Sequence, residues 1–538
     1  MKSLAKYVKN LILLLCGLAL IITCGCTDDE SANMNPEGQN LPVEGGVLNL
    51  AGYEPDTFNP LCTGYAGVAD YMYLVYESLF IVNEDLSVKG VLAENYTTKE
   101  KNKVYTLSLK KNVKFHDGTM FTADDVISTF EYLKLYETNY SSALRDVETY
   151  EAKDSYTVEI TLKQPRANFL TNLDFPILSS GLDMEDFVVP NTTYKMNGTG
   201  RYKYGKTEAY ESMILVKNPD WHNASKVYIP QVKIRFVNSK DAVAYAFNSG
   251  ETDMVTTDYG RWGEFSYSIK NNPYEITTTR YVFVGLNTKN SAFSDVELRK
   301  SLAGIIDKKH IVDSVMFSHG VVADTPISSK AYFYRNDDTE EEKVIGKITD
   351  KKLSTYILYN EESVIKENIA KYLKTVLEDA GIKVELTKVS FETYLDKISS
   401  GDYQIYIGEV DLGKDSNLRF MFKPAPVEVP DSDEEGDTPE DSADVPSETD
   451  YSGIRICDFS SEPLDDVIGN INTAYDAETS KVAYNNLRIL YRDNAFQIPL
   501  LHVNDALFVS KRIRGKVTPN LTSFFADIGD IYIPVNQK

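Results

Sequence analysis

Between Leu353 and Gly408 the chain alternates strand and helix signals, and this alternation limits the fold more than any other feature. "LSTYILYN" is a short β-like run. In "EESVIKENIAKYLKTVLEDAG" the residues Ile365, Ile369, Leu373, Val376, Leu377 and Ala380 recur at helical spacing, and Gly381 stands where a glycine ends a helix. "IKVELTKV" alternates as a strand, "FETYLDKISSG" has a helical pattern ending at Gly401, and "YQIYIG" is a strand again. A β-α-β-α-β order requires parallel strands with right-handed crossovers, hence an α/β fold. Ligands on such sheets bind beyond the carboxyl ends of the strands, which singles out the residues after Tyr406, "IGEVDLG". A further helix is expected in "SDVELRKSLAGIIDKKHIVDSVM", with Ser294 as candidate N-cap and Val296, Leu298, Leu302, Ile305 and Ile306 on its apolar face. That pattern puts Arg299 and Lys300 on a solvated face.

At 538 residues the chain is long enough for two to four domains. Its 56 Lys and Arg against 80 Asp and Glu leave a formal charge of −24, which repels phosphate and excludes nucleic acid as an expected partner. Anionic lipid is disfavoured for the same reason unless something other than charge holds the chain to a membrane. The amino terminus supplies that something: Lys2, Lys6 and Lys9 precede the apolar run Leu11 to Ile22, an n-region and h-region of secretory length too short to span a bilayer comfortably. The run ends in "IITCGC", which resembles the lipobox of bacterial lipoproteins. Cys26, preceded by Gly25, fits better than Cys24, preceded by Thr23, and the choice between the two stays open. The expectation is a signal peptide over residues 1–26, lipidation at Cys26, and a chain anchored on the extracytoplasmic face of the cell membrane. Only Cys62 and Cys457 remain in the folded body, which excludes a disulfide scaffold.

Residues 27–46, "TDDESANMNPEGQNLPVEGG", have no apolar period and suit a flexible tether. Residues 424–453 hold about eleven carboxylates and no basic residue, a composition that cannot build a core, so a disordered acidic insertion is expected there. It lacks the spacing of an EF-hand calcium loop.

"VKFHDGTMFTADDV", Val113 to Val126, sets a histidine beside carboxylates, yet each polar residue has a local backbone role. "VYTLSLKKNVKF" alternates as a strand pair with a turn at Lys110 to Asn112, Asp117-Gly118 makes a second turn, and Thr122 with Asp125 forms a capping-box-like helix start. The five histidines, at 116, 222, 310, 319 and 502, form no metal-ligating pair, so neither metal nor cofactor is expected. No GxSxG elbow, P-loop or Rossmann fingerprint points to an enzyme.

The run "YTLSLKKNVKFHDGTMFTADDVISTFEYL" closely resembles the signature of family 5 extracellular solute-binding proteins, the peptide and nickel receptors of ABC importers. "GTGRYKYGKTEAYESMILVKNPDWHN", "VFVGLNTKNSAFSDVELRKSLAGIIDKKHIV" and "IAKYLKTVLEDAGIKVELTKVSFETYLDKISSGDYQIYIGEVD" resemble later blocks of the family in matching order. The resemblance implies a two-lobed, periplasmic-binding-protein-like α/β fold of the class II type with an extended, split first lobe, and makes the D-G-T block scaffold. Residues 47–282 and 504–538 are then the first lobe and 283–503 the second, with crossings near Tyr281 to Leu286 and Pro499 to Val503. On this map Cys62 and Cys457 lie in different lobes, and two free thiols are expected.

What the resemblance implies for function is capture of oligopeptides or dipeptides between closing lobes and delivery to an ABC permease with its ATPase subunits, by a monomer, without chemistry on the solute. The family's cleft positions correspond here to Tyr65, Tyr140 and the stretch Gly408 to Leu412, with Gly408, Glu409 and Asp411 as candidate contacts. Glu409 stands where the family has tryptophan, and Asp411 matches the amine-binding aspartate only with a gap. His502, at the return crossing, is a further candidate. The alternatives are a receptor for a nickel chelate, an oligosaccharide or another solute, and a surface sensor or adhesin that recruits a partner through the acidic insertion.

Overall fold

The computed structural model describes residues 41–181, 196–265, 270–289, 292–334, 353–415, 417–422 and 456–537. The signal segment with Cys26, the tether up to residue 40 and the acidic insertion 424–453 lie outside the described residues. Along the chain run β1 (Val47–Gly52), β2 (Phe80–Val82), β3 (Val88–Gly90), β4 (Ala93–Lys99), β5 (Val104–Leu109), β6 (Val147–Asp154), β7 (Thr157–Leu162), β8 (Tyr202–Glu208), β9 (Ser212–Lys217), β10 (Gln231–Phe236) and β11 (Met254–Thr257). There follow β12 (Asn271–Leu286), β13 (Gly320–Val322), β14 (Ser354–Asn360), β15 (Lys383–Val389), β16 (Ile405–Asp411) and β17 (Gln497–Ser510). One 11-stranded sheet has the order β15-β14-β16-β12-β17-β11-β1-β10-β9-β8, with β13 on β17; β4-β5-β7-β6 form a separate four-stranded sheet.

The alternating segment folds as its pattern requires, with β14 parallel to both β15 and β16. Ser363 caps the helix Val364–Asp379 by accepting from the Lys366 N–H, and Ser390 does the same for Phe391–Ser400. Gly381 (φ 91°) and Gly401 (φ 74°) take the left-handed conformation that ends each helix. Two local expectations fail. Arg299 is buried rather than solvated, because its guanidinium donates to the carbonyls of Phe293, Ser294 and Asn494; the N-cap of its helix is Asp295, not Ser294. Beyond β5 the chain does not fold back as a hairpin arm: β5 pairs with β4 and β7, and the buried Val113 and Phe115 turn into the core.

β12 and β17, of 16 and 14 residues, pair antiparallel and run through both ends of the large sheet. Their register shifts twice: Thr277 faces Asn504 and Tyr281 faces His502, so residues 278–280 stand opposite Val503 as a bulge, and then Val282 faces Leu501 while Phe283 faces Pro499. Before the bulge β17 also pairs with β11; beyond it β12 pairs with β16. The buried apolar residues form three clusters. One holds Leu48, Leu50 and the four-stranded sheet, together with Ile513, Phe525, Ile528 and Ile533 near the carboxyl terminus. The other two cover opposite faces of the far end of the sheet, Val282, Val284 and Leu286 on one side and Tyr281 and Phe283 on the other. A strand buried on both faces is apolar at consecutive positions, as "YVFVGL" is. Cys62 packs against the first cluster and Cys457 lies in the third; both are free thiols. Among the described residues no helix is long and apolar enough to cross a membrane.

Each of β12 and β16 gives a glycine to an aromatic ring on the other strand, with Phe283 opposite Gly408 and Gly285 opposite Tyr406. A Cβ at Gly408 would lie 2.2 Å from the Phe283 ring. Gly408→Val is therefore expected to destabilise the protein by about 1–3 kcal/mol through overpacking. A denaturant midpoint equal to wild type would show that the ring is free to move.

Candidate functional site

The histidine and carboxylates of Val113 to Val126 are structural. His116 donates its backbone N–H to Gly198 O, its Nε2 lies 3.1 Å from Gly200 O, and burial pushes its imidazole down to about 4. Asp117 accepts from the N–H and hydroxyl of Thr119 and from the Asn197 amide, closing the turn. Thr122 and Asp125 form the capping box of the helix Ala123–Leu135. A Cβ on Gly198 or Gly200 would lie 2.1 or 2.5 Å from Val75 O, so both must be glycine for the backbones to meet. Beside them, buried Glu77 accepts from His222 Nε2 (3.0 Å), Trp221 Nε1 (3.0 Å) and the Thr199 hydroxyl (2.9 Å). Burial raises the Glu77 carboxyl, and these three donors, His222 foremost, outweigh it and hold it below the usual range.

The charged cleft lies at the bulge. Thr277, Thr278, Thr279, Leu412, Gly413 and His502 line a cavity of about 10 Å³, room for one water. Asp411, at the end of β16, accepts from the Thr279 hydroxyl (2.6 Å) and the Gly413 N–H (3.0 Å). Arg280 pairs with Asp505 and lies 3.6 Å from Glu409. The loop after β16 sends two side chains across to the first core: Lys414 pairs with Asp174, while Asp415 lies 3.1 Å from Arg166 and 3.6 Å from Arg145. Further bridges between the two sides are the Tyr332 hydroxyl donating to Asn168 Oδ1 (2.9 Å) and the Ala167 N–H donating to Ala474 O (2.7 Å).

Carboxylates outnumber cations in this cleft. Burial pushes Asp70 up to about 6, against the Phe524 N–H that it accepts and with the Asp505 charge adding to the rise. Burial likewise pushes Asp505 up to about 6, with Arg280 opposing. For Lys414, burial pulls the ammonium down and the Asp174 carboxylate overrides it, so the amine stays above its ordinary value.

Of the residues singled out from the sequence, Asp411 and His502 stand together at the bulge. His502 is 1 % exposed, its ring 5.5 Å from Tyr281, and burial holds it down at about 4, hence neutral near pH 7. Glu409 is buried beneath Arg280 and accepts from the Ser363 hydroxyl at 3.4 Å. Gly408 lies under Phe283. Tyr140 sits on the first-core side, its hydroxyl 3.3 Å from that of Tyr73, and burial together with Asp174 raises its pKa. Tyr65, 46 % exposed, stacks on Tyr53 at 5.2 Å; the Asn139 amide, donating to Thr63 O, ties its loop to the Tyr140 turn. Sequence reasoning missed Asp70, Asp174, Arg280, Lys414 and Asp505. A charge inside an apolar strand was the available signal for two of them, Arg280 before "YVFVGL" and Asp505 before "ALFV".

The family model described as bacterial extracellular solute-binding proteins, family 5 middle, matches residues 87–422. The chain is 25% identical over 422 residues to the oligopeptide-binding protein AppA of Bacillus subtilis, covering 70% of this chain and 76% of that one. It is 24% identical over 496 residues to the probable D,D-dipeptide-binding periplasmic protein DdpA of Escherichia coli, covering 88% and 91%. The solved structure of HbpA2 from Haemophilus parasuis superposes with a TM-score of 0.73 at 20% identity, over 91% of this chain and 100% of that one, and so shares its two-lobed α/β fold.

Asp70 provides a pH test of the cleft. Its carboxyl holds a proton more firmly folded than unfolded, so the stability it contributes is whole below about pH 4 and is lost as pH rises through about 6. Asp70→Asn should raise the unfolding free energy at pH 8 by about 1–2 kcal/mol. The gain should vanish at pH 4; a gain independent of pH would refute the burial of this charge.

Proposed function

The chain belongs to the family 5 bacterial extracellular solute-binding proteins, the non-enzymatic extracytoplasmic receptors of ABC importers, and from that premise we propose that it captures short peptides between two lobes that close by bending at the 278–280 bulge. The lobes on this reading are residues 47–282 with 504–538, and residues 283–503. The observation that carries it is the strand pair β12 and β17, which joins the two sides of the cleft and has the wider of its two register shifts, three residues opposite one, beside the inter-lobe cavity. At that place ladder hydrogen bonds give way to side-chain ones: the Thr278 hydroxyl donates to Val503 O at 2.8 Å and the Thr277 hydroxyl to Asn504 Oδ1 at 2.9 Å. A guest touching both lobes shifts such a hinge toward closure.

Peptides held as an added strand need backbone donors and acceptors at an exposed edge and roomy walls for side chains. Tyr65 and Tyr140 on the first lobe and the end of β16 at Glu409 to Asp411 on the second supply walls and charge, and His502 supports the hinge from beneath. Gly408 serves by letting β16 pack under Phe283. The closed, loaded form delivers its guest to the permease and its ATPase subunits. The relatives named for oligopeptide and dipeptide binding support peptide as the solute class.

Anchoring belongs to the same proposal: diacylation at Cys26 holds the receptor on the extracytoplasmic face of the membrane, with residues 27–46 as its tether.

Calorimetric titration with a mixed library of peptides two to five residues long should give saturable heat and a rise in Tm. Heat from a nickel chelate or an oligosaccharide, with none from any peptide, would reverse the solute assignment. Metabolic labelling with palmitate should mark the wild-type protein and leave Cys26→Ser unlabelled; label retained in Cys26→Ser and lost in Cys24→Ser would move the anchor to Cys24.

A further inference from the structure

The loop after β16 meets the first lobe with two consecutive residues of opposite sign, each received by a buried partner of the complementary sign. Lys414 pairs with Asp174, whose side chain is 4 % exposed, and Asp415 pairs with Arg166, whose side chain is 9 % exposed. The acceptor side is also held by contacts that do not involve Lys414. Asp174 also accepts from the Thr522 hydroxyl at 2.9 Å, and Thr522 is itself fixed by accepting from the Val82 N–H at 2.8 Å. The Tyr73 hydroxyl donates to Asp174 O at 2.7 Å and touches Tyr140, one of the expected guest contacts. Asp70 and Asp411 act on the same ammonium, so a single positive charge serves three carboxylates. Asp411, by contrast, is engaged with Thr279 and Gly413 at the bulge.

We infer that Asp174 is a first-lobe subsite for a primary ammonium group of the guest and that Lys414 is its tethered occupant, so that loading exchanges the chain's ammonium for the guest's. The inference rests on the peptide-receptor reading and deepens it. Opening the cleft withdraws Lys414 and leaves Asp174 with the Thr522 hydroxyl but without its counter-charge, an unfavourable arrangement that an incoming ammonium relieves. A guest without one leaves the carboxylate unpaired, and a site built around a buried polar group rejects such an analogue. The ligand class is therefore solutes with a free primary amine, the α-amine of a peptide being the nearest case.

The test uses the full-length protein and a ladder of alanine peptides two to five residues long, each with a free or an acetylated amine, titrated into wild type, Lys414→Met and Asp174→Asn. Wild type should prefer the free amine by at least about ten-fold. Lys414→Met, freed of the internal competitor, should bind the free-amine form at least about ten-fold tighter than wild type does and the acetylated form no differently. Asp174→Asn should lose the preference. Peptide binding with equal preference in wild type and Asp174→Asn, or weaker free-amine binding in Lys414→Met, would overturn the subsite while leaving the peptide reading in place. No binding of any peptide by any of the three would remove the peptide reading, and the subsite with it. If Asp174→Asn does not fold, the direction of change in Lys414→Met decides.

Discussion

The antiparallel pairing of β12 with β17 is the constraint on which the rest of the molecule depends. Both strands are paired on each side of the bulge, and both are apolar where they are buried on two faces. At the bulge the chain turns polar, with Thr277, Thr278, Thr279 and Arg280 in sequence, and backbone groups are met by side chains: the Thr277 N–H donates to Glu84 Oε1 at 2.7 Å. Side-chain partners rearrange at lower cost than a ladder does, so on the proposed reading bending concentrates at residues 278–280 while the sheet on either side stays stiff. The same bulge brings the end of β16, the return strand and the turn after β2 to one place. On the proposed reading, hinge and cleft both follow from the wider of the two register shifts.

Electrostatics sets the second condition. The whole chain carries a formal charge of −24, and the cleft repeats the bias, with Asp70, Asp174, Asp411 and Asp505 facing Lys414 and Arg280. Buried carboxylates of this density either take up protons or recruit cations, and Asp70 and Asp505, raised to about 6, have moved part of the way toward the first course. On the proposed reading such a cleft favours guests of positive or mixed charge before any shape is considered, and it is met in this structure by the chain's own Lys414 and Arg280.

What the sequence disclosed was what depends on local pattern. The alternation from Leu353 to Gly408 specified parallel β14, β15 and β16, and Gly381 and Gly401 marked helix ends, because periodicity and a left-handed glycine act within a few residues. Arg299 escaped because one of its three carbonyl partners, Asn494, is 195 residues away, and a helical wheel cannot see it. Val113 and Phe115 have the alternation of a strand, which a buried turn shares. The sheet rule led to "IGEVDLG" and stopped one residue short of Lys414, whose partner Asp174 is 240 residues distant. Asp411 and His502 were singled out from the family's pattern and the expected crossing, and both lie beside the bulge. Asp70 and Asp174 carry no local mark, since neither lies in a charged run nor in a motif.

On the lobe division proposed above, the first-lobe side of the cleft is braced from within, which bears on recognition. Its signature residues spend their polarity inside the scaffold: Asp117 accepts from Asn197 and His116 contacts Gly200 O in the Asn197 to Gly200 turn, and Glu77 collects three donors beneath it. The two glycines let that turn press on Val75, and the Tyr73 next in line reaches Asp174. These contacts link the D-G-T block to Asp174, and on the proposed reading they preorganise that carboxylate so that little ordering is required when a charge arrives. The second lobe presents a loop and a strand end to that wall. On the inference drawn above, Asp174 as acceptor and Lys414 as donor discriminate by charge while the solute stays chemically unchanged, which is what a receptor that must release its cargo intact requires.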